Sequence, residues 1–214
     1  MRSALLVTAL ALLAAGCGSD GAPAILSDEG PAPPQKATLD WREAYGEPGA
    51  RLVFQVDSLV VDTDGWRATI AVRNDSRVQF TIASGPSSLE RAFGLMVLPT
   101  GDMRELDRLN RANELPPVRQ AERFDPPLPG VLAPGATWQG TMSARGALPG
   151  GGWARVVFGA FVTIDEPPRG LQERVVWITD HTHRLEASAQ PTSVRNSESS
   201  ASEAKSASPA AISR

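Results

Sequence analysis

Residues 153–164 read WARVVFGAFVTI, the most apolar of the strand-like segments in this chain. The run is rich in β-branched and aromatic residues. Pro149-Gly150-Gly151-Gly152 lies before it and Asp165-Glu166-Pro167-Pro168 after it. Such a bounded run reads as a buried strand at the centre of a sheet. Working outward, Val175-Val176-Trp177-Ile178 is a second short strand. On the other side, Trp138, Gly140 and Met142 alternate with Thr137, Gln139, Thr141 and Ser143. Alternation of that kind marks a strand with one dry and one wet face.

The same period of two recurs upstream. Leu52, Phe54 and Val56 alternate with Arg51, Val53, Gln55 and Asp57, and Leu59-Val60-Val61 extends the run. Trp66, Ala68, Ile70 and Val72 alternate with Arg67, Thr69 and Arg73. Asn74-Asp75-Ser76 is a turn, after which Val78, Phe80 and Ile82 alternate again. Phe93 to Leu98 is a further short apolar run. About seven strands with turn residues between them predict an all-β fold, an antiparallel β-sandwich of immunoglobulin-like type over residues 38–187. A closed barrel of similar strand number is the alternative.

Residues 99–136 interrupt the pattern. Met103, Leu106 and Leu109 are spaced by three and predict a helical turn that Pro116-Pro117 would stop. Phe124-Asp125-Pro126-Pro127-Leu128-Pro129 must be extended, because proline disfavours helix and removes ladder donors. Ala133-Pro134-Gly135-Ala136 places Pro and Gly as type II turns prefer. Long loops in compact domains are often functional, so this stretch is the first candidate for a binding surface.

Residues 132–159, LAPGATWQGTMSARGALPGGGWARVVFG, resemble the second half of small immunoglobulin-like domains in extracytoplasmic bacterial proteins. There a Pro-Gly turn precedes a strand, and a Gly-rich hairpin precedes the central apolar strand. The resemblance implies the fold. Some related domains are proposed to bind or inhibit other proteins.

The first residues address the chain. Met1-Arg2-Ser3 supplies one basic side chain, and Ala4 to Ala15 reads ALLVTALALLAA. This is the layout of a secretory signal over residues 1–16, and it is shorter than the roughly 20 apolar residues a spanning helix needs. Leu13-Ala14-Ala15-Gly16-Cys17 resembles the lipobox of bacterial lipoproteins, although Ala14 stands where that family more often has leucine. The resemblance implies cleavage between Gly16 and Cys17 and a diacylglyceryl group, with palmitate, on the Cys17 sulfur. Two or more acyl chains give a stable anchor. Gly18 is not the aspartate that marks inner-membrane retention in that family, so both the cell membrane and the outer membrane stay open as destinations. Residues 17–37, rich in Gly, Pro and Ala, read as a tether. A chain of that length reaches about 25 Å. Residues 188–214 have almost no large apolar side chain and read as a disordered tail.

Composition narrows the chemistry. There are 21 Lys and Arg against 24 Asp and Glu, for a net charge of −3. Without a basic stripe, nucleic acid is not an expected partner. Cys17 is the only cysteine, so no disulfide can form within the domain. A thiolate site for blue copper is excluded too if acylation consumes that sulfur. Met96 and Met142 fall on apolar strand faces, as core residues do.

Asp180-His181-Thr182-His183 holds both histidines. If the strand through Val176 continues, His181 and His183 share a face about 7 Å apart. They would then be candidate metal ligands with Asp180, although a closed site needs four. No nucleophile elbow occurs. Asp62 and Asp64 lie in a hairpin turn ahead of Gly65, and Asp165 and Glu166 in a loop, where solvated turn acids are the default. The run Pro149–Gly152 links two strands and is no phosphate loop. Trp66, Trp138, Trp153 and Trp177 occupy core-compatible strand positions. Trp41 precedes the first expected strand, as a lid or surface aromatic. The expectation is a non-enzymatic, lipid-anchored envelope protein that contacts another protein or serves a structural role and carries no cofactor beyond the lipid on Cys17. The alternative is a small-ligand or metal-binding lipoprotein using Asp180, His181 and His183.

Overall fold

The computed structural model describes residues 30–82 and 93–188. Sheet I runs in the order β1 (Gln35–Glu47), β2 (Ala50–Val61), β3 (Gly65–Asp75), β9 (Thr137–Arg145), β7 (Arg123–Asp125), with every pair antiparallel. Sheet II is built on β10 (Trp153–Thr163). One edge of β10 pairs with β5 (Gly94–Leu98) and then β4 (Phe80–Ile82), which are extended outward by β6 (Arg119–Gln120) and β8 (Val131–Leu132). Its other edge pairs with β12 (His183–Arg184) and β11 (Arg174–Ile178). Among the described residues no strand pair joins the two sheets, which settles the architecture as a sandwich and not a closed barrel.

β10 is central, as its apolar run requires. Its inner residues Ala154, Val156, Phe158 and Phe161 join the core between the sheets. From the facing sheet, the Phe54 ring lies 4.9 Å from Phe158 and 5.9 Å from Phe161 and stacks on Trp177 at 5.6 Å. The outer face of β10 is covered as well. Val157, with Met96 and Leu98 of β5, packs against Leu106 and Leu109 of α1 (Met103–Ala112). The interrupting segment is thus a cover for sheet II, and the expected apolar spacing is its contact stripe. Asp102 caps the helix start by accepting from the Arg104 N–H at 2.9 Å. The helix ends earlier than the prolines demand, at Asn113, which adopts a left-handed backbone with φ of 56°.

Where the chain crosses from sheet I to sheet II, Asn74 is fully buried. Its Nδ2 donates to the carbonyls of Val78 and Leu132, at 2.8 and 3.0 Å, and its Oδ1 accepts from the backbone and hydroxyl of Ser76. Gly135 has φ of +74°, and the Ala136 N–H donates to Ala133, so the expected Pro-Gly turn forms.

Three expectations need correction. β1 is a full strand that sequence reading did not find, because charged residues fill its outward positions. Its first residues, Gln35 to Ala37, belong to the strand and not to the expected tether, and Ala32 before them is already buried. Trp41 is neither lid nor surface aromatic. It is an inward residue of β1, 9% exposed. Finally, the strand through Val176 stops at Ile178, and His183 belongs to the separate strand β12. The expected cleavage site, Gly16 and Cys17, the tether over 18–29 and the tail over 189–214 lie outside the described residues.

Truncating Phe54 to alanine is expected to cost about 3–5 kcal/mol, as for large buried aromatics. The surface change Val131→Thr is expected to stay within about 0.5 kcal/mol. Urea unfolding of the purified domain measures both, and equal midpoints would contradict this account of the core.

Candidate functional site

The alternation of β1 turns Leu39, Trp41, Glu43 and Tyr45 toward sheet II. Glu43 is the one acid among them, and its side chain is only 6% exposed. A buried carboxylate is costly unless it is hydrogen-bonded, and this one accepts from four donors. The Trp177 Nε1 donates at 2.6 Å, and the backbone N–H groups of Asp180 and His181 donate at 3.0 and 2.9 Å. The fourth contact is the His181 Nδ1, 2.6 Å from Oε1. An ionised carboxylate only accepts, so Nδ1 bears the proton of this contact and Nε2 is the ring nitrogen left without a partner at Glu43. The His181 ring also lies over Trp41, with centroids 5.7 Å apart and planes at 21°.

Behind this turn sits Arg155, on the outer face of β10 and fully buried. Its Nη1 donates to the carbonyls of Thr179 and Asp180, at 2.6 and 2.7 Å, and its Nη2 to the carbonyl of Gly101 at 3.1 Å. One guanidinium thereby ties the loop ahead of α1 to the connection between β11 and β12. Thr179 adds two further links: its hydroxyl accepts from the Val156 N–H and donates to the carbonyl of His181, both at 3.0 Å.

The electrostatics follow from this packing. Burial pushes the Glu43 carboxyl up, but the hydrogen bonds from His181, Asp180 and Trp177 outweigh it and hold the group below the ordinary glutamate value. Burial, with the nearby Glu43 charge, raises Asp180 against the pull of Arg155. Burial also lowers Arg155. His183 is lowered by burial, with Glu186 opposing.

The structure brings part of the expected cluster together and separates the rest. Asp180 and His181 meet at Glu43, the one through its backbone and the other through backbone and ring. His183 instead pairs with Ala154 in β12. Among the described residues no three His, Cys, Asp or Glu side chains are grouped to hold a metal ion. The expected pairing of imidazoles on one face required a continuous strand, and the chain turns after Ile178 because Glu43, Arg155 and Thr179 capture its backbone. Asp62 and Asp64 occupy the hairpin turn, closed by Asp62 N–H to Gly65 at 2.8 Å, and Asp62 pairs with Arg67 at 3.3 Å. With Ser143 and Arg145 these residues border an open depression of about 250 Å³.

Sequence reading missed Glu43, Arg155 and Thr179. Two of them left a trace: Arg155 is the lone charge in the apolar run, and Glu43 takes the inward parity of Trp41 and Tyr45. Comparison with protein-family models, with curated proteins and with solved structures finds no match to this chain.

Replacing Glu43 by glutamine removes the charge and leaves one acceptor for four donors. The expected loss is about 2–3 kcal/mol, from the worth of hydrogen bonds to charged groups. Because the folded group titrates below its unfolded value, its contribution is present above the ordinary glutamate pKa and fades as pH falls through the folded one. The stability gap between wild type and Glu43→Gln should therefore be full at neutral pH and shrink in acid. A gap constant down to the acid transition would refute this assignment.

Proposed function

We propose that this chain is a lipid-anchored protein of the cell envelope, held at the cell membrane or outer membrane through Cys17, whose β-sandwich is a non-enzymatic module for contact with another protein. The observation that carries the reading is the lipobox-like Leu13–Cys17 behind an apolar run, with Cys17 the only cysteine. A lone thiol in an oxidising compartment is a liability unless it is consumed, and acylation consumes it. The sandwich supports the reading in a second way. Its most buried charges are engaged by the fold itself: Glu43 by four donors from the segment 177–181, and Arg155 by three carbonyls. They hold the domain together without cystines.

The immunoglobulin-like assignment is part of this proposal. It is supported by two antiparallel sheets with repeated crossings between them. The placement of β1, β2 and β3 consecutively in one sheet is a departure from the strand distribution of immunoglobulin domains.

A second reading, a metal or small-ligand site at the Asp180–His183 end, has one observation in its favour: the half-exposed His181 is held through Nδ1 by Glu43, which leaves Nε2 for a ligand. Titration of zinc or copper into the purified chain tests it. Binding at micromolar metal that disappears in His181→Ala would favour this reading over the first.

The leading reading is tested in cells fed labelled palmitate. Label should enter the wild-type chain and be absent from Cys17→Ala, which should leave the membrane fraction. Equal labelling of both would end the proposal. Cross-linking followed by purification from detergent-solubilised membranes should then recover a stable protein partner.

A further inference from the structure

Both ends of the described domain leave the sandwich at one pole. At the N-terminal end the Gly150 N–H donates to the carbonyl of Gly30 at 2.8 Å, and the Ala32 N–H to that of Leu148 at 2.7 Å. At the C-terminal end the Ser188 hydroxyl donates to the carbonyl of Pro31 at 2.8 Å, and the Glu186 N–H to Oε1 of Gln35 at 3.1 Å. Gly151 and Gly152 complete the join by pairing with Leu185. The two exits thus start side by side, against the loop between β9 and β10.

Strand direction fixes what else lies at that pole. β1 leaves it at Gln35 and β10 at Trp153, while β2 and β9 arrive at Val61 and Arg145. The Asp62–Asp64 turn is therefore there too, joined through the Gly146 N–H to the carbonyl of Asp64 at 2.8 Å. The opposite pole carries the turns at 47–50, 133–136 and 164–173. Gly46 and Gly170 are neighbours there, through Leu171 and Glu47.

We propose that the pole bearing both exits faces the lipid surface, and that the turns at 47–50, 133–136 and 164–173 are presented away from it. This rests on the lipid-anchor reading of Cys17. Twelve residues lie between Cys17 and Gly30, and the thirteen steps from one to the other span about 45 Å at most. The 11 residues of β10 put the far pole about 35 Å beyond the near one. A tether attached at the near pole limits that pole's distance from the headgroups directly, whereas bringing the far pole to the lipid inverts the domain and stretches the tether from a coil reach of about 20 Å to about 35 Å. The hydrogen bonds from Ser188 and Glu186 also start the C-terminal segment on the lipid side, so a protein partner outside the membrane meets the far-pole turns first.

The test uses the full, acylated chain in phosphatidylcholine vesicles with an energy-transfer acceptor on the headgroups. Acylation leaves no free thiol, so Asp64→Cys and Gln172→Cys each give one labelling position, both exposed. Transfer from position 64 should exceed that from position 172 by roughly twofold, given their separation along the strands. Equal or reversed transfer overturns the proposal. A parallel arm replaces Cys17 by a hexahistidine tag on nickel-chelating lipid, which keeps the exit geometry without acylation. If the tagged chain shows the difference but the native chain does not stay on vesicles, the anchor reading fails and the proposed orientation fails with it. If the native chain is held and neither arm shows a difference, the anchor stands and the inferred orientation is wrong.

Discussion

A strand that is apolar on both faces must be covered on both, and β10 imposes that demand on the rest of the molecule. Sheet I covers its inner face through Phe54 and its neighbours. Its outer face is covered by α1, which explains why a helix interrupts the strands of the described residues. Each buried large apolar side chain contributes about 1.5–3 kcal/mol by leaving water. Two layers of cover on one strand are therefore a large share of what holds a domain without disulfides.

Covering the outer face of β10 also buries Arg155. A guanidinium without partners there would be prohibitive, and its donors draw in three carbonyls from two loops. Those contacts bend the chain after Ile178 and deliver the N–H groups of Asp180 and His181 to Glu43. The carboxylate of Glu43 then joins the edge of sheet I to the edge of sheet II, where no strand pairing does so. The stacked Trp41 and His181 and the Trp177 indole complete the closure. The two buried charges are consecutive links in one chain of physical necessity, the first on the outer face of the sandwich and the second at its open side.

The strands with clean alternation were legible in sequence: β2, β3, β9 and the apolar β10 were found within a few residues of their ends. β1 was not, because Lys36, Asp40, Arg42 and Glu43 mask its inward Leu39, Trp41 and Tyr45. The two-residue strands β6, β8 and β12 have no pattern of their own; they form where a neighbouring edge offers ladder partners. Of the candidate site, His181 and Asp180 were named from their motif. Their true partner was not, because Glu43 looked like one more surface acid before the first expected strand.

Local periodicity depends only on neighbouring residues, so the β class, the central strand and the helical stripe could be read from the residue pattern, and a single cysteine rules out a disulfide within the domain. The partner of a buried polar group depends on which strands come to face each other, and that is a long-range matter. His181 and Glu43 are 138 residues apart in the chain, and Arg155 and Gly101 are 54 apart. That Asp180 and His181 close a sandwich edge at Glu43, and that both ends of the described domain share one pole, follows from the packing of the sheets. The reason is the same in each case: a desolvated charge takes whatever donors or acceptors the packing of apolar faces has brought within reach.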